Sequence, residues 1–119
     1  MILLKILMVT LILDIFFLMF ISNRISKIIS KIQGSQLNIN IFYAIIVYLF
    51  VCIQIYYFIL LKNASLQHAF ILGSSTYAIF EFTNMAIFNE WDYKMALLDT
   101  LWGGILYSLS TYIIRKFLA

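Results

Sequence analysis

The sequence predicts an all-α polytopic membrane protein, an antiparallel four-helix transmembrane bundle forming a single domain over residues 1–119. Three observations carry that prediction. Of 119 residues, 65% are hydrophobic and 11% are charged, whereas a soluble domain holds about 25% charged residues. Mean hydropathy is +1.03, and no proline interrupts the chain. The apolar residues also fall into four runs, each close to the roughly 20 residues that a helix needs to cross a hydrocarbon core of about 30 Å.

The first run covers about residues 2–21. Lys5 ahead of a long apolar stretch has the outline of a secretory signal, but no small-residue cleavage pattern follows and Asp14 interrupts it, so the segment reads as a retained span. Polar breaks at 22–38, 62–65 and 89–94 separate it from further spans at about 39–61, 66–88 and 95–114. The second break is short and sets spans two and three as an antiparallel hairpin.

Within the first break, Arg24, Lys27 and Lys31 alternate with Ile25, Ile28, Ile29 and Ile32, isoleucines on one helical face and cations on another. Residues 22–33 therefore read either as a separate interfacial helix lying on anionic lipid headgroups and ended by Gly34, or as span one continuing into water. The lipid role is tested with the isolated segment: removing its three cations should weaken its association with anionic vesicles, and unchanged association would exclude the role. Lys and Arg do not orient the protein. Face A, with both chain ends, carries Lys5, Lys62, Arg115 and Lys116, and face B carries Arg24, Lys27, Lys31 and Lys94. The compartment stays open, and the bilayer is the expected partner. The net charge of +3 is scattered around apolar spans, which argues against nucleic-acid binding. Cys52 is the only cysteine, so no intrachain disulfide forms.

Three acids lie inside the apolar spans: Asp14, Glu81 and Asp99. An ionisable side chain at bilayer depth costs about 2.5 to 3.5 kcal/mol on insertion scales, so three need a reason. Asp14 and Glu81 each sit seven residues before the face B end of their spans, roughly 10 Å deep at 1.5 Å per residue, and Asp99 lies roughly 6 Å deep from the same face. The acids of three helices thus converge on one layer. Ser74, Tyr77, Glu81 and Asn84 recur at helical spacing on span three, and Asp99 and Gly103 share a face of span four beside Trp102. Lipid cannot satisfy these groups, so the faces point inward. The candidate partners of the acids are Asn84, Thr83, Thr100, Tyr77 and Trp102, with Gly103 and Gly104 allowing close helix approach. Carboxyls crowded at one depth share protons rather than all ionising. Asp99 also has a local explanation, being near the N-terminal end of its helix with Asp92 as its cap.

The order Leu13, Asp14, Phe17; Tyr77, Ala78, Ile79, Phe80, Glu81, Phe82, Thr83, Asn84, Met85, Ala86; Trp91; Asp99, Thr100, Leu101, Trp102, Gly103 resembles an uncharacterised family of small four-span integral membrane proteins. Its pattern is LDxxW, an aromatic-acid-x-TN-x-A run, a following Trp and DxxWG, over nearly the whole chain. The chain departs in having Phe17 where that family often has Trp, and Glu81 where it often has Asp. The resemblance implies four spans and the same polar residues, and it supplies no mechanism. Within the chain, Leu13, Asp14 and Phe17 echo Leu98, Asp99 and Trp102 on oppositely directed spans.

The residues argue against an enzyme. The single His68 cannot build a multi-histidine metal site, and neither a GxSxG elbow nor a glycine-rich phosphate loop occurs, so no cofactor is expected. An acid dyad, or a divalent ion on Asp14, Glu81 and Asp99, is the one enzymatic arrangement left and weighs least. Two readings weigh more. In the first, the acids form a proton or cation site of a small transporter or channel, with Glu81 central and Asn84 and Trp102 shaping the cavity; four helices enclose such a path poorly, so a homo-oligomer is expected. In the second, they are protonated hydrogen-bond anchors in a structural or assembly component.

Overall fold

The computed structural model describes residues 1–118. The first helix, α1, covers Ile2–Gln33, about 48 Å at 1.5 Å per residue. Gly34 ends it in the left-handed region at φ 71°, with its N–H donating to the Ser30 carbonyl. Residues 22–33 continue α1 without a break, the second of the two readings of that segment, and form no separate interfacial helix. With no proline and no glycine before Gly34, nothing interrupts the backbone hydrogen bonds.

Helix α2, Ile41–Gln54, starts at Asn40, whose side chain accepts from the Phe42 N–H, and runs on into a π-helical segment, Ile55–Leu60. Helix α3, Leu66–Ile87, is capped by Ser65, and α4, Tyr93–Ile113, by Asp92, as the sequence predicted for Asp92. A second π-helical segment, Ile114–Leu118, follows α4. No strand occurs among the described residues. α1, α2 with its π-helical extension, and α4 with its own are each long and apolar enough to cross a membrane. α3 has 22 residues, about 33 Å of helix, but Ser74, Ser75, Thr76, Glu81, Thr83 and Asn84 make it more polar than the other three.

α3 packs along α4, and α1 lies against both α2 and α4. The closest crossing brings Gly73 of α3 onto Gly103 of α4, where an added Cβ on Gly103 would sit 2.6 Å from the Gly73 carbonyl oxygen. The backbone of α2 approaches α3 only through the π-helical segment Ile55–Leu60. The expected hairpin is therefore closed at face A and splayed toward face B, because α3 turns its glycine face to α4. In the face A half, Ile6, Cys52, Ile55, Leu106, Tyr107 and Ile114 form the main core, and Phe17, Ile21 and Met95 form a smaller one toward face B. Lys5 Nζ donates to the Leu118 carbonyl at 2.9 Å, tying the start of α1 to the end of the chain. Outward-facing Phe16, Phe20, Phe42 and Ile79 are exposed, as lipid-facing side chains are. The long dimension, 45 Å, exceeds the roughly 30 Å hydrocarbon core.

Candidate functional site

The splay between α2 and the α3–α4 pair leaves a cavity of about 600 Å³, with α1 at its back. It runs from an apolar rim at Ile29 and Leu37, near face B, to Gln54 and Thr76 at its inner end. Asp14, Glu81 and Asp99 all line it. Three acids from three helices thus meet in one volume, as their common depth predicted.

Each acid is held differently. Asp14 is 6% exposed; its Oδ1 accepts from the Trp102 indole at 2.9 Å and its Oδ2 from the Tyr48 hydroxyl. One turn further along α1, Phe17 stacks on Trp102 with ring centroids 4.7 Å apart and planes within 6°. Glu81 is 2% exposed, and its Oε1 accepts from the Trp91 indole at 2.7 Å. Trp91 reaches it because the chain turns back after α3: the Phe88 N–H donates to the Asn84 carbonyl at 2.8 Å and the Trp91 N–H to the Phe88 carbonyl at 3.2 Å. Asp99 is half-buried and lies beside the Glu81 carboxyl across the α3–α4 contact. Both tryptophans of the chain therefore donate to an acid, and neither donates to Asp99.

The inner end is closed by side chains from three helices. Gln54 Nε2 donates to Thr76 Oγ1 at 3.1 Å, and the Tyr107 hydroxyl donates to Gln54 Oε1. The Tyr107 ring stands edge-on to Tyr77, 6.3 Å away. One turn beyond Tyr107, the buried Ser110 hydroxyl has no partner among the described residues. Among the described residues the only salt bridge joins Arg24 to Asp92, with Arg24 Nε donating to Asp92 Oδ2 at 2.7 Å. Asp14, Glu81 and Asp99 have no basic partner among the described residues. Nor is any group of three or more His, Cys, Asp or Glu among the described residues placed to hold a metal ion.

The model of a family described as "Predicted membrane protein (DUF2177)" matches residues 1–114. The chain belongs to that family. The resemblance drawn from the motifs pointed to an uncharacterised family of membrane proteins, and this one is such a family. No curated protein and no solved structure matches the chain.

In this DUF2177 chain, Asp14, Glu81, Asp99 and Tyr77 line the cavity, Trp102 reaches Asp14 from behind, and Gly103 lies at the helix crossing against the Tyr77 ring. Thr83 and Asn84 do not join them. Thr83 faces outward and Asn84 is half-buried away from the lining; Trp91, folded back from the loop, takes the place beside Glu81 that the spacing gave to Asn84. The Thr100 hydroxyl donates to the Ala96 carbonyl at 2.7 Å, within its own helix. Arg24 is not a free lipid-facing cation, because Asp92 holds it; Lys27 and Lys31 remain exposed. His68 bonds Ser65 at the α3 cap. Tyr48, Gln54, Thr76, Trp91 and Tyr107 join the polar network without having been expected there. Gln54 carried a signal, as the one amide in span two past its capping residue Asn40, and Trp91 carried another, as one of only two tryptophans.

Proposed function

We propose that this membrane protein binds protons, or small cations in their place, at its intramembrane carboxyls and passes them across the bilayer, with α3 serving as a fourth span. Glu81 is the central titrating group, and Asp14 and Asp99 are its coupled neighbours. The observation that supports this most is the convergence of three acids on one cavity with no lysine or arginine to neutralise them. Acids at bilayer depth that face a cavity commonly mark ion pathways. From Gln54 at the inner end of the cavity, polar groups continue toward face A through Tyr107 and Ser110. The protein is read as a carrier and not an enzyme. One copy leaves the cavity open beside α2, so a homo-oligomer belongs to the proposal; a protein that stayed monomeric in lipid would count heavily against it.

The test is proton and monovalent-cation flux into liposomes under an imposed pH gradient, run beside Glu81→Gln. The expected result is flux that is lost in the variant while its thermal stability holds.

The bonds from Trp102, Tyr48 and Trp91 favour a second reading, in which the acids are packing anchors of a structural or assembly component. They join α1 to α4, α1 to α2, and α3 to its following loop. Absence of flux in both proteins, with Glu81→Gln markedly destabilised, would establish that reading over the first.

A further inference from the structure

The cavity is far larger than a proton or a bare monovalent ion requires. Its volume of about 600 Å³ falls within the roughly 300–1,000 Å³ of sites that enclose drug-sized organic ligands. Its chemistry is divided along its length. The rim and walls are built from Ile25, Ile46, Val47, Phe50 and Phe80, while the acids gather on the side of α1, α3 and α4. Aromatic rings stand among the acids: Phe17, Tyr77 and Trp91 line the same volume as Asp14, Glu81 and Asp99. Aromatic faces beside carboxylates suit an ammonium or similar diffuse cation, because the ring quadrupole attracts charge while the wall excludes water.

The access route agrees with that chemistry. The backbones of α2 and α3 come together only at the π-helical segment near face A, and the Gln54–Thr76 bond joins their side chains at the inner end of the cavity, so it is on the face B side of that bond that the two helices stand apart. Exposed Val47, Phe50 and Phe80 flank that gap. An apolar molecule arriving from the bilayer meets no charge before it reaches the acids. A hydrated ion entering from face B would first pass the apolar rim at Ile29 and Leu37.

Resting on the carboxyl-site reading above, we propose that the ligand of this cavity is a lipophilic organic cation, an ammonium or equivalent charge on an apolar or aromatic body, which enters from the bilayer between α2 and α3. Its body fills the apolar part and its charge displaces a proton from the cluster of Glu81, Asp99 and Asp14. The exchange balances in charge, one cation in for one proton out. Anions are rejected by the three acids.

Both tryptophans bond acids of the site, so intrinsic fluorescence reports its occupancy directly. The full chain in phosphatidylcholine nanodiscs is titrated with tetraphenylphosphonium and, separately, with tetraphenylborate, which matches it in size and shape but is an anion; empty discs correct for partition into lipid. Proton release is followed in the same samples with a pH indicator in weak buffer. The expected result is a saturable change with the phosphonium accompanied by proton release, and none with the borate. Glu81→Gln and Asp99→Asn should each weaken the apparent affinity by about tenfold or more, equivalent to about 1.4 kcal/mol. Asp99 bonds no indole, so Asp99→Asn keeps the test valid should Glu81→Gln fail to fold. Equal responses to phosphonium and borate, or affinity unchanged in both variants, would overturn the proposal and make the cavity a place for lipid tails. Proton release on adding sodium, with no response to the phosphonium, would overturn the ligand class and leave the ion-site reading standing. Proton release with neither would remove both.

Discussion

Gly73→Ala is expected to lower the unfolding free energy by about 3 kcal/mol, the upper end of ordinary overpacking costs. A Cβ built on Gly73 would sit 2.6 Å from the Tyr107 ring and 2.8 Å from the Gly103 carbonyl carbon, with the carbonyl oxygen closer still. The obstacle is backbone, so relief requires α3 and α4 to part. Gly103→Ala should cost a similar amount, since its Cβ would meet both the Gly73 carbonyl oxygen and the Tyr77 ring. Gly104→Ala should cost less, because its Cβ would meet only the far edge of the Phe70 ring, at 2.7 Å, which can swing aside. The order of the three is read by chemical denaturation in mixed micelles, with tryptophan emission as signal. Equal stability of Gly73→Ala and the parent protein would disprove the close crossing. The effect should reach the cavity too, because this crossing fixes the spacing between Glu81 on α3 and Asp99 on α4.

The part of this architecture legible in the sequence was the part written in local composition. Apolar runs located the helices, Gly34 located the end of α1, and the common depth of Asp14, Glu81 and Asp99 placed three acids in one layer. Depth follows from counting residues along a helix, so it survives ignorance of the packing. Azimuth does not. Asn84 has the right spacing from Glu81 to share its face, yet the bond to Glu81 comes from Trp91, delivered by a loop whose path no helical periodicity encodes. Tyr48 was hidden in a span so rich in aromatic residues that one inward-facing phenol does not stand out. The splay of α2 from α3 was equally hidden, because a short connection fixes how two helices begin and not where they diverge. Arg24 shows a further limit. On its own helix it belonged with Lys27 and Lys31, and only the fold brings Asp92 to it.

The echo of Leu13, Asp14 and Phe17 in Leu98, Asp99 and Trp102 acquires a physical meaning from the crossing of α1 and α4. The helices run in opposite directions, so the aromatic residue of one motif meets the acid of the other: Trp102 donates to Asp14 and stacks on Phe17. Phe17 has no N–H to return to Asp99. The half of the pairing that would have held Asp99 is missing, which leaves this acid half-buried and without an indole bond, beside the tightly held Glu81. Asp99 is the acid of the cluster with the most freedom to change partners.

Asp14 is where stability and function should separate most clearly. Asp14→Ala removes the acceptor of both the Trp102 indole and the Tyr48 hydroxyl. A buried donor left without a partner costs about 1–3 kcal/mol, although interhelical polar contacts in membranes average nearer 0.6 kcal/mol because the unfolded chain also finds partners in the bilayer. Two donors at an interface of three helices should together cost about 2–4 kcal/mol, seen as a lower denaturation midpoint. Asp14→Asn should cost less than about 1 kcal/mol, because its amide oxygen still accepts from the indole and its NH₂ can donate to the Tyr48 oxygen, which reverses that bond. An amide does not take up and release a proton in the working pH range, so Asp14→Asn should nonetheless reduce flux through the carboxyl cluster. Flux measured in liposomes beside denaturation in micelles reads the two effects independently. Stable Asp14→Asn with reduced flux assigns Asp14 to the ion path as well as to the packing. Stable Asp14→Asn with full flux confines Asp14 to packing and leaves Glu81 and Asp99 to carry the exchange. If Asp14→Asn is as unstable as Asp14→Ala, the ionised carboxylate is itself the structural element, and its bonds to Trp102 and Tyr48 are charge-assisted ones that a neutral amide cannot replace.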